Sequence, residues 1–315
     1  MQIRTDLAIE MKEVFEESRN STSINGVEVE NKEFEDCKIT IVEIKTDEGS
    51  QIMNKDKGKY ITIESKLMRY DDEESREKMI EYVKNELINI FGTDKHKTTL
   101  IIGLGNWNIT PDALGPKTVS KTLITRHIFK SYHKDYDDDF SEVAGLSPGV
   151  MGITGIETGE IVKSLVDIIH PDRVIAIDAL ASRRMDRVNS TIQISTSGIT
   201  PGKGVGNARM TLNKENLGVD VIAIGVPTVV DAATLTTDVL EIAIDNLIQQ
   251  SNENDSFYNL LKNIKDDEKY QLIKESLDPY DKNLIVTPKD IDEEIENAAI
   301  IISEALNRTL HPGRI

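Results

Sequence analysis

Cysteine is almost missing from this chain of 315 residues: Cys37 stands alone. An internal disulfide is therefore impossible, and a reducing compartment is expected. No histidine lies within 50 residues of Cys37 on either side, so nothing nearby would activate a thiolate, and a structural role is expected for it. The five histidines (His96, His127, His133, His170 and His311) are scattered, and neither an H-E-x-x-H pair nor a cysteine cluster is present. No metal site and no cofactor are expected from such a set. A G-x-S-x-G elbow is absent too, which leaves a serine triad without support. No apolar run approaches the roughly 20 residues that span a bilayer, and no secretory h-region stands near Met1. A cytoplasmic protein with no membrane partner is the expectation. Cations are scarce as well: 37 Lys and Arg face 55 Asp and Glu, a formal charge of −18. Such a surface repels phosphate backbones, so no direct nucleic-acid partner is expected, whereas a basic or flexible polypeptide would be compatible.

What is present has a clear rhythm. "KITIVEIK" (38–45) and "KYITIES" (59–65) alternate apolar and polar residues and predict an N-terminal antiparallel strand pair. A helix is predicted from Glu73 to Phe91, with Met79, Ile80, Val83, Leu87 and Phe91 on one stripe. From Thr98 onward, short two-sided apolar runs alternate with amphipathic helices. "TLIIGLG", "RVIAIDAL" (173–180), "DVIAIGVP" (220–227) and "NLIVTP" (283–288) read as buried strands. Thr154 and Glu157 have capping-box spacing ahead of "IVKSLVDII", and Thr287, Pro288 and Asp290 predict the start of the last helix. The expected fold is α/β, a mostly parallel central sheet with helices on both faces. Residues 7–97 read as a flank and 98–315 as the core of one α/β domain, with a polar helical excursion on the surface at 251–282.

"IIGLGNWNITPDALGPK" (101–117) tests the phosphate readings. Gly103 and Gly105 fit a dinucleotide fingerprint, but Asn108 occupies the third glycine position. "GITPGKGVGN" (198–207) has Gly202-Lys203, but it lacks the P-loop spacing and the hydroxyl residue after lysine. Carboxylates at strand ends carry more. Asp112 follows the first buried strand by a short glycine loop, Asp178 closes "VIAID", and Asp231 follows "VIAIGVPTVV". In open α/β sheets, ligands bind beyond the carboxyl ends of strands, so these three acids are expected at one sheet edge. Each could equally cap a helix or turn. Two carboxylates brought close share a proton, and one can then serve as base on water while the other serves as acid.

The stretches "IIGLGNWNITPDALGPK", "SPGVMGITGIETGEIV", "VIAIDALASRR", "VNSTIQISTSGITPGKGVGN" and "VIAIGVPTVVDAATL" together closely resemble the germination protease family of endospore-forming bacteria, from about Arg4 to Leu310. The "GLGN…D…G" core is also similar to hydrogenase-maturation proteases, which grip a metal with acidic residues and a histidine. This chain offers no histidine after its later strands. The resemblance implies an atypical aspartic-type endopeptidase that degrades small acid-soluble spore proteins in the spore core. Asp112 and Asp178 would be its catalytic pair. It implies a homotetramer and a zymogen that trims its own N-terminus, and "RTDLAIE" (4–10) matches the expected site. The cut would fall between Asp6 and Leu7, leaving residues 1–6 as the prosegment of a peptidase domain 7–315. Two other classes stay open: a metal-dependent maturation protease on the same fold, and a nonenzymatic α/β binding protein. An acidic residue before the scissile bond calls for a partner on the enzyme, since an unpaired buried carboxylate is costly. Lys117, Arg183, Arg184, Lys203 and Arg209 are the candidate cations.

Overall fold

The computed structural model describes residues 5–19, 23–92, 97–131, 140–201, 210–250 and 284–313. In chain order, α1 (Ala8–Arg19) and β1 (Val27–Glu33) precede β2 (Lys38–Ile44), α2 (Asp47–Met53), β3 (Gly58–Glu64) and α3 (Glu73–Phe91). Next come β4 (Thr99–Gly103), α4 (Leu114–Lys121), α5 (Arg126–Ser131), β5 (Val143–Leu146), α6 (Met151–Thr154) and α7 (Thr158–Ile169). Then follow β6 (Arg173–Ser182), β7 (Thr191–Ser195), α8 (Lys214–Leu217), β8 (Asp220–Asp231), α9 (Ala232–Gln250), the two-residue β9 (Ile285–Val286) and α10 (Ile291–Leu310).

The strands form one sheet in the order β1-β2-β3-β7-β8-β6-β4-β5, with β9 pairing the end of β8. It is a mixed sheet. The parallel character expected from two-sided burial holds for β5, β4, β6 and β8. The other pairings are antiparallel, because β7 returns beside β8 and joins the N-terminal strands to the same sheet. The predicted N-terminal pair is thus two strands of a three-stranded meander. Its outermost member, β1, escaped notice because its sequence "VEVENKE" is mostly exposed, as a charged edge strand should be. "NLIVTP" is not a core strand: only Ile285 and Val286 pair, antiparallel to the end of β8. The predicted excursion at 251–282 lies outside the described residues.

Alternation along the central strands explains why both faces are covered. Ile175 and Ile177 of β6 face a cluster with Met79, Val83 and Leu87 of α3 and with Ile295, Ile302 and Leu306 of α10. Val174 and Ala176 turn the other way, toward Val162 and Val166 of α7 and Leu217 of α8. Each fully buried Leu or Ile contributes about 1.5–3 kcal/mol, so these two layers dominate the stability of the sheet. The α3 stripe is as the periodicity predicts, closed by Asp72 accepting from the Ser75 amide and by Gly92 at φ +70°. The capping box does not form. Thr154 ends α6 and donates to Val150 O, while Glu157 accepts from the Met210 amide across a loop. Cys37 is buried in the first cluster, and burial pushes its thiol up to about 12, in line with a structural role. No helix of the described residues is long and apolar enough to cross a membrane.

Candidate active site

Asp112 is presented by the loop after β4. The Leu104 amide still donates to Ile177 O of β6, and the chain then leaves the sheet through Gly105. A single 3-10 turn, Thr110–Asp112, precedes α4. Gly105 sits at φ +110°, and a Cβ there would fall 2.0 Å from Asp112 O. That oxygen accepts the Asn106 amide at 3.0 Å, so the loop closes directly on the aspartate. Gly115 at the start of α4 is equally confined, since a Cβ would lie 2.3 Å from Leu104 O. Thr228 of β8 donates to Pro111 O at 2.7 Å and holds the turn from the other side. The glycines are there to bring backbone against backbone, and Asp112 is what the turn presents. Gly105→Ala should therefore shift Asp112 and lower activity about 100-fold, as a displacement of about 1 Å does. Steady-state kinetics would check this at a temperature where the variant, its thermal midpoint lowered by the strain at φ +110°, is still folded.

Asp178 comes from within β6. The strand does not close at "VIAID" but runs on to Ser182, beyond the last pairing of β4 at Gly103–Ile177. Asp178 stands opposite Gly225 of β8, which in turn stands opposite Gln193 of β7. Pairing with β8 shifts register between Leu180 and Ala181, and such irregularities commonly re-aim groups beside active sites. Asp112 and Asp178 line one cavity of about 650 Å³, together with Asp6, Lys55, Gln193 and Thr228.

The two carboxyls differ in environment. Burial raises Asp112 to about 6, partly opposed by the Asn106 amide. Burial raises Asp178 well above the ordinary carboxylate range, and the neighbouring charges of Asp112 and Asp6 push it further. The Ala179 amide, 3.0 Å from Asp178 Oδ1, opposes this only in part. Burial and the two neighbouring carboxylates thus favour the proton on Asp178 and leave Asp112 the more readily ionised of the pair. Two carboxyls held apart in this way can serve as acid and base.

The N-terminal segment enters the same cavity. The Asp6 amide donates to Ala181 O at 2.9 Å, and Asp6 Oδ2 accepts the Ala181 amide at 2.8 Å. Leu7 and Ala8 are buried, Leu7 against Leu180 and Ile199.

The sequence profile of the family described as "Germination protease" matches residues 5–262 and 244–314. The chain is 47% identical to a germination protease of Clostridium tetani, over 99% of this chain and 97% of that protein. It is 41% identical to a germination protease of Bacillus pumilus, over 98% of this chain and 94% of that protein. The chain belongs to the germination protease family. Among solved structures, a [NiFe] hydrogenase maturation protease, HycI, from Thermococcus kodakarensis aligns over 70% of this chain and 98% of that one, at 17% identity and a TM-score of 0.32. As a germination protease family member, the chain is a peptidase.

Within this germination protease architecture, the sequence-predicted residues separate into two groups. Asp112, Asp178 and Asp6 line one cavity, and Leu7 packs on its lining residues Leu180 and Ile199. Asp231 ends β8 and caps α9, its Oδ1 accepting the amide and hydroxyl of Thr234 at 3.0 and 3.2 Å. Lys117 pairs with Glu296 of α10 at 2.7 Å. Arg184 forks onto Asp186 at 3.0 and 2.7 Å, and Arg183 faces Asp238 at 3.6 Å. None of these four lines the cavity. Lys203 and Arg209 lie outside the described residues. Lys55, Gln193 and Ala181 were not legible as site residues. Lys55 belongs to a polar connection, and Ala181 acts through its backbone. Gln193 alone left a trace, as a lone amide in the isoleucine-rich strand "TIQIS". Among the described residues, no group of three His, Cys, Asp or Glu could hold a metal ion.

Proposed function

We propose that this member of the germination protease family is an aspartic-type endopeptidase. It starts the breakdown of small acid-soluble spore proteins and is made as a zymogen that cuts its own Asp6–Leu7 bond. The observation that carries this reading is the seating of Asp6 in the cavity of Asp112 and Asp178, bonded to Ala181 through both backbone and carboxylate, with Leu7 packed on the lining residues Leu180 and Ile199. Asp112, the more readily ionised of the two, takes a proton from water, and Asp178, whose carboxyl burial and neighbouring charge hold toward the protonated form, delivers one to the leaving nitrogen. Acidic residues before the cut are met by the Ala181 amide, with Lys203 and Arg209 the remaining candidates for an added cation. The working form is a homotetramer in the forespore cytoplasm, needing no cofactor and contacting neither membrane nor nucleic acid directly.

Incubating the full chain alone, and then with a purified small acid-soluble spore protein, tests the proposal by mass spectrometry. A new chain beginning at Leu7, and spore-protein fragments ending in an acidic residue, are the expected products. Unchanged rates in a chelator separate this mechanism from a metal-dependent maturation protease. No cleavage of either protein would refute the reading.

A further inference from the structure

We propose that Lys55 and Gln193 hold the oxygen of the scissile carbonyl and stabilise the negative charge that develops on it. This rests on the reading of Asp6–Leu7 as the bond cut. The Asp6 carbonyl oxygen is then the reacting oxygen, and it accepts two hydrogen bonds. Lys55 Nζ donates at 2.8 Å and Gln193 Nε2 at 3.1 Å, from positions 49 and 187 residues away in the chain. Both distances suit donors aimed at an oxyanion.

Gln193 does a second thing. Its Oε1 accepts the Ala8 amide at 2.7 Å, so one carboxamide brackets Leu7, with its nitrogen toward the Asp6 carbonyl and its oxygen toward the Ala8 N–H. Only this orientation of the amide satisfies both bonds. The side chain is buried, and its strand position is set by pairing with Thr62 of β3 and Gly225 of β8. Lys55 is fixed by the turn that ends α2. Asn54 adopts φ 47°, the Lys55 amide donates to Ser50 O at 3.2 Å, and Ser50 Oγ donates to Lys55 O at 2.6 Å. The ammonium thus projects from a backbone tied down on both sides.

The chemical step balances without any further reactant. Water adds to the Asp6 carbonyl carbon while its proton passes to the Asp112 carboxylate. The carbonyl π pair moves onto the oxygen held by Lys55 and Gln193. Collapse of the adduct breaks the C–N bond, and the Leu7 nitrogen takes the Asp178 proton, leaving an α-carboxyl on Asp6 and an α-amine on Leu7. Charge develops on an oxygen already held by a fixed ammonium and a buried carboxamide, and donors placed in advance cost no reorganisation as the charge forms. Lys55 and Gln193 are catalytic residues in this scheme because they touch a reacting atom.

The test follows self-cleavage of the full chain, then hydrolysis of the peptide RTDLAIE by the processed enzyme, for Lys55→Met, Lys55→Arg, Gln193→Leu, Asp112→Asn and Asp178→Asn. Lys55→Met and Gln193→Leu should each lower kcat about 100-fold or more, with KM changed only a few-fold and Lys55→Arg restoring part of the loss. A purely structural role would not give that split between kcat and KM. If Lys55→Met and Gln193→Leu keep the wild-type kcat, or raise KM alone, while the aspartate variants are silent, the oxyanion assignment is wrong and the aspartic reading stands. If the aspartate variants cleave at the wild-type rate, the aspartic reading fails and the oxyanion assignment falls with it.

Discussion

Asp112→Asn and Asp178→Asn should each cut the rate of peptide hydrolysis about 1000-fold or more, and each should make the protein more stable at pH 8. Both effects have one cause. The carboxyl groups are buried in a cavity that disfavours their charged forms, raising Asp112 to about 6 and Asp178 further. An amide keeps the shape and the Ala179 contact but neither accepts a proton from water nor returns one. For stability, the sign follows from proton linkage. Between the ordinary carboxylate value of 3.8 and about 6, folded Asp112 binds more proton than the unfolded chain does, so stability falls as pH rises through that window. Asp178 extends the loss to higher pH in the same direction. The variants escape this penalty, so their thermal midpoints should exceed the wild type at pH 8 and converge with it near pH 4. Activity of the unmodified enzyme should rise through about pH 6 as the base ionises and fall at higher pH as Asp178 loses its proton, both limbs belonging to the coupled pair. Wild-type midpoints across the pH range in both variants, or near-normal turnover in either, would contradict the assignment.

Glu10→Leu should be the most damaging single change outside the cavity, costing about 3–5 kcal/mol. Glu10 has no exposed surface. Its carboxylate accepts the amides of Arg183 and Arg184 at 2.7 and 3.1 Å and the Ser182 hydroxyl at 2.8 Å. Thr5 Oγ1 donates to it too, and Arg187 Nη1 lies 3.4 Å away. Removing the carboxylate leaves two backbone amides and two hydroxyls without this acceptor, and the interior does not restore their lost hydration. Arg187 suffers less, because Glu13 and Glu64 also hold it at 2.6 and 2.8 Å. The same carboxylate ties the first turn of α1 to the end of β6, which is what sets Leu7 beside Leu180. Chemical denaturation should show the loss of stability, and mass spectrometry should show slower release of a chain starting at Leu7. A denaturation midpoint equal to wild type would mean that the cluster is held by Arg187 alone.

The legible parts of this protein were those with a local period or a local breaker. The α3 stripe repeats every three or four residues and ends at Gly92, and the structure has that helix from Glu73 to Phe91. β2 and β3 alternate with period two and appear within a residue of their expected ends. Strand β1 was lost because an exposed edge has no apolar face to display. The Thr154–Glu157 pair misled because the spacing is local but Glu157 found its partner, Met210, across the fold. Asp231 shows the same limit: a carboxylate after a strand has the same local appearance whether it caps a helix or faces a cavity.

The sequence by itself determined the α/β alternation, the buried central strands and the glycine turn that carries Asp112, since hydrophobic period and glycine geometry act over a few residues. Only the tertiary structure decided that the sheet is mixed, that β6 runs past Asp178, and that the chain's own N-terminal segment lies in the cavity. It also decided which cations sit away from the cavity and that Lys55 and Gln193 meet on one carbonyl oxygen. That meeting joins residues 49 and 187 positions apart, and no local pattern encodes which distant partner a polar side chain will find. That choice is made when the sheet order brings β7, β8 and β6 side by side, placing Gln193, Gly225 and Asp178 in one row.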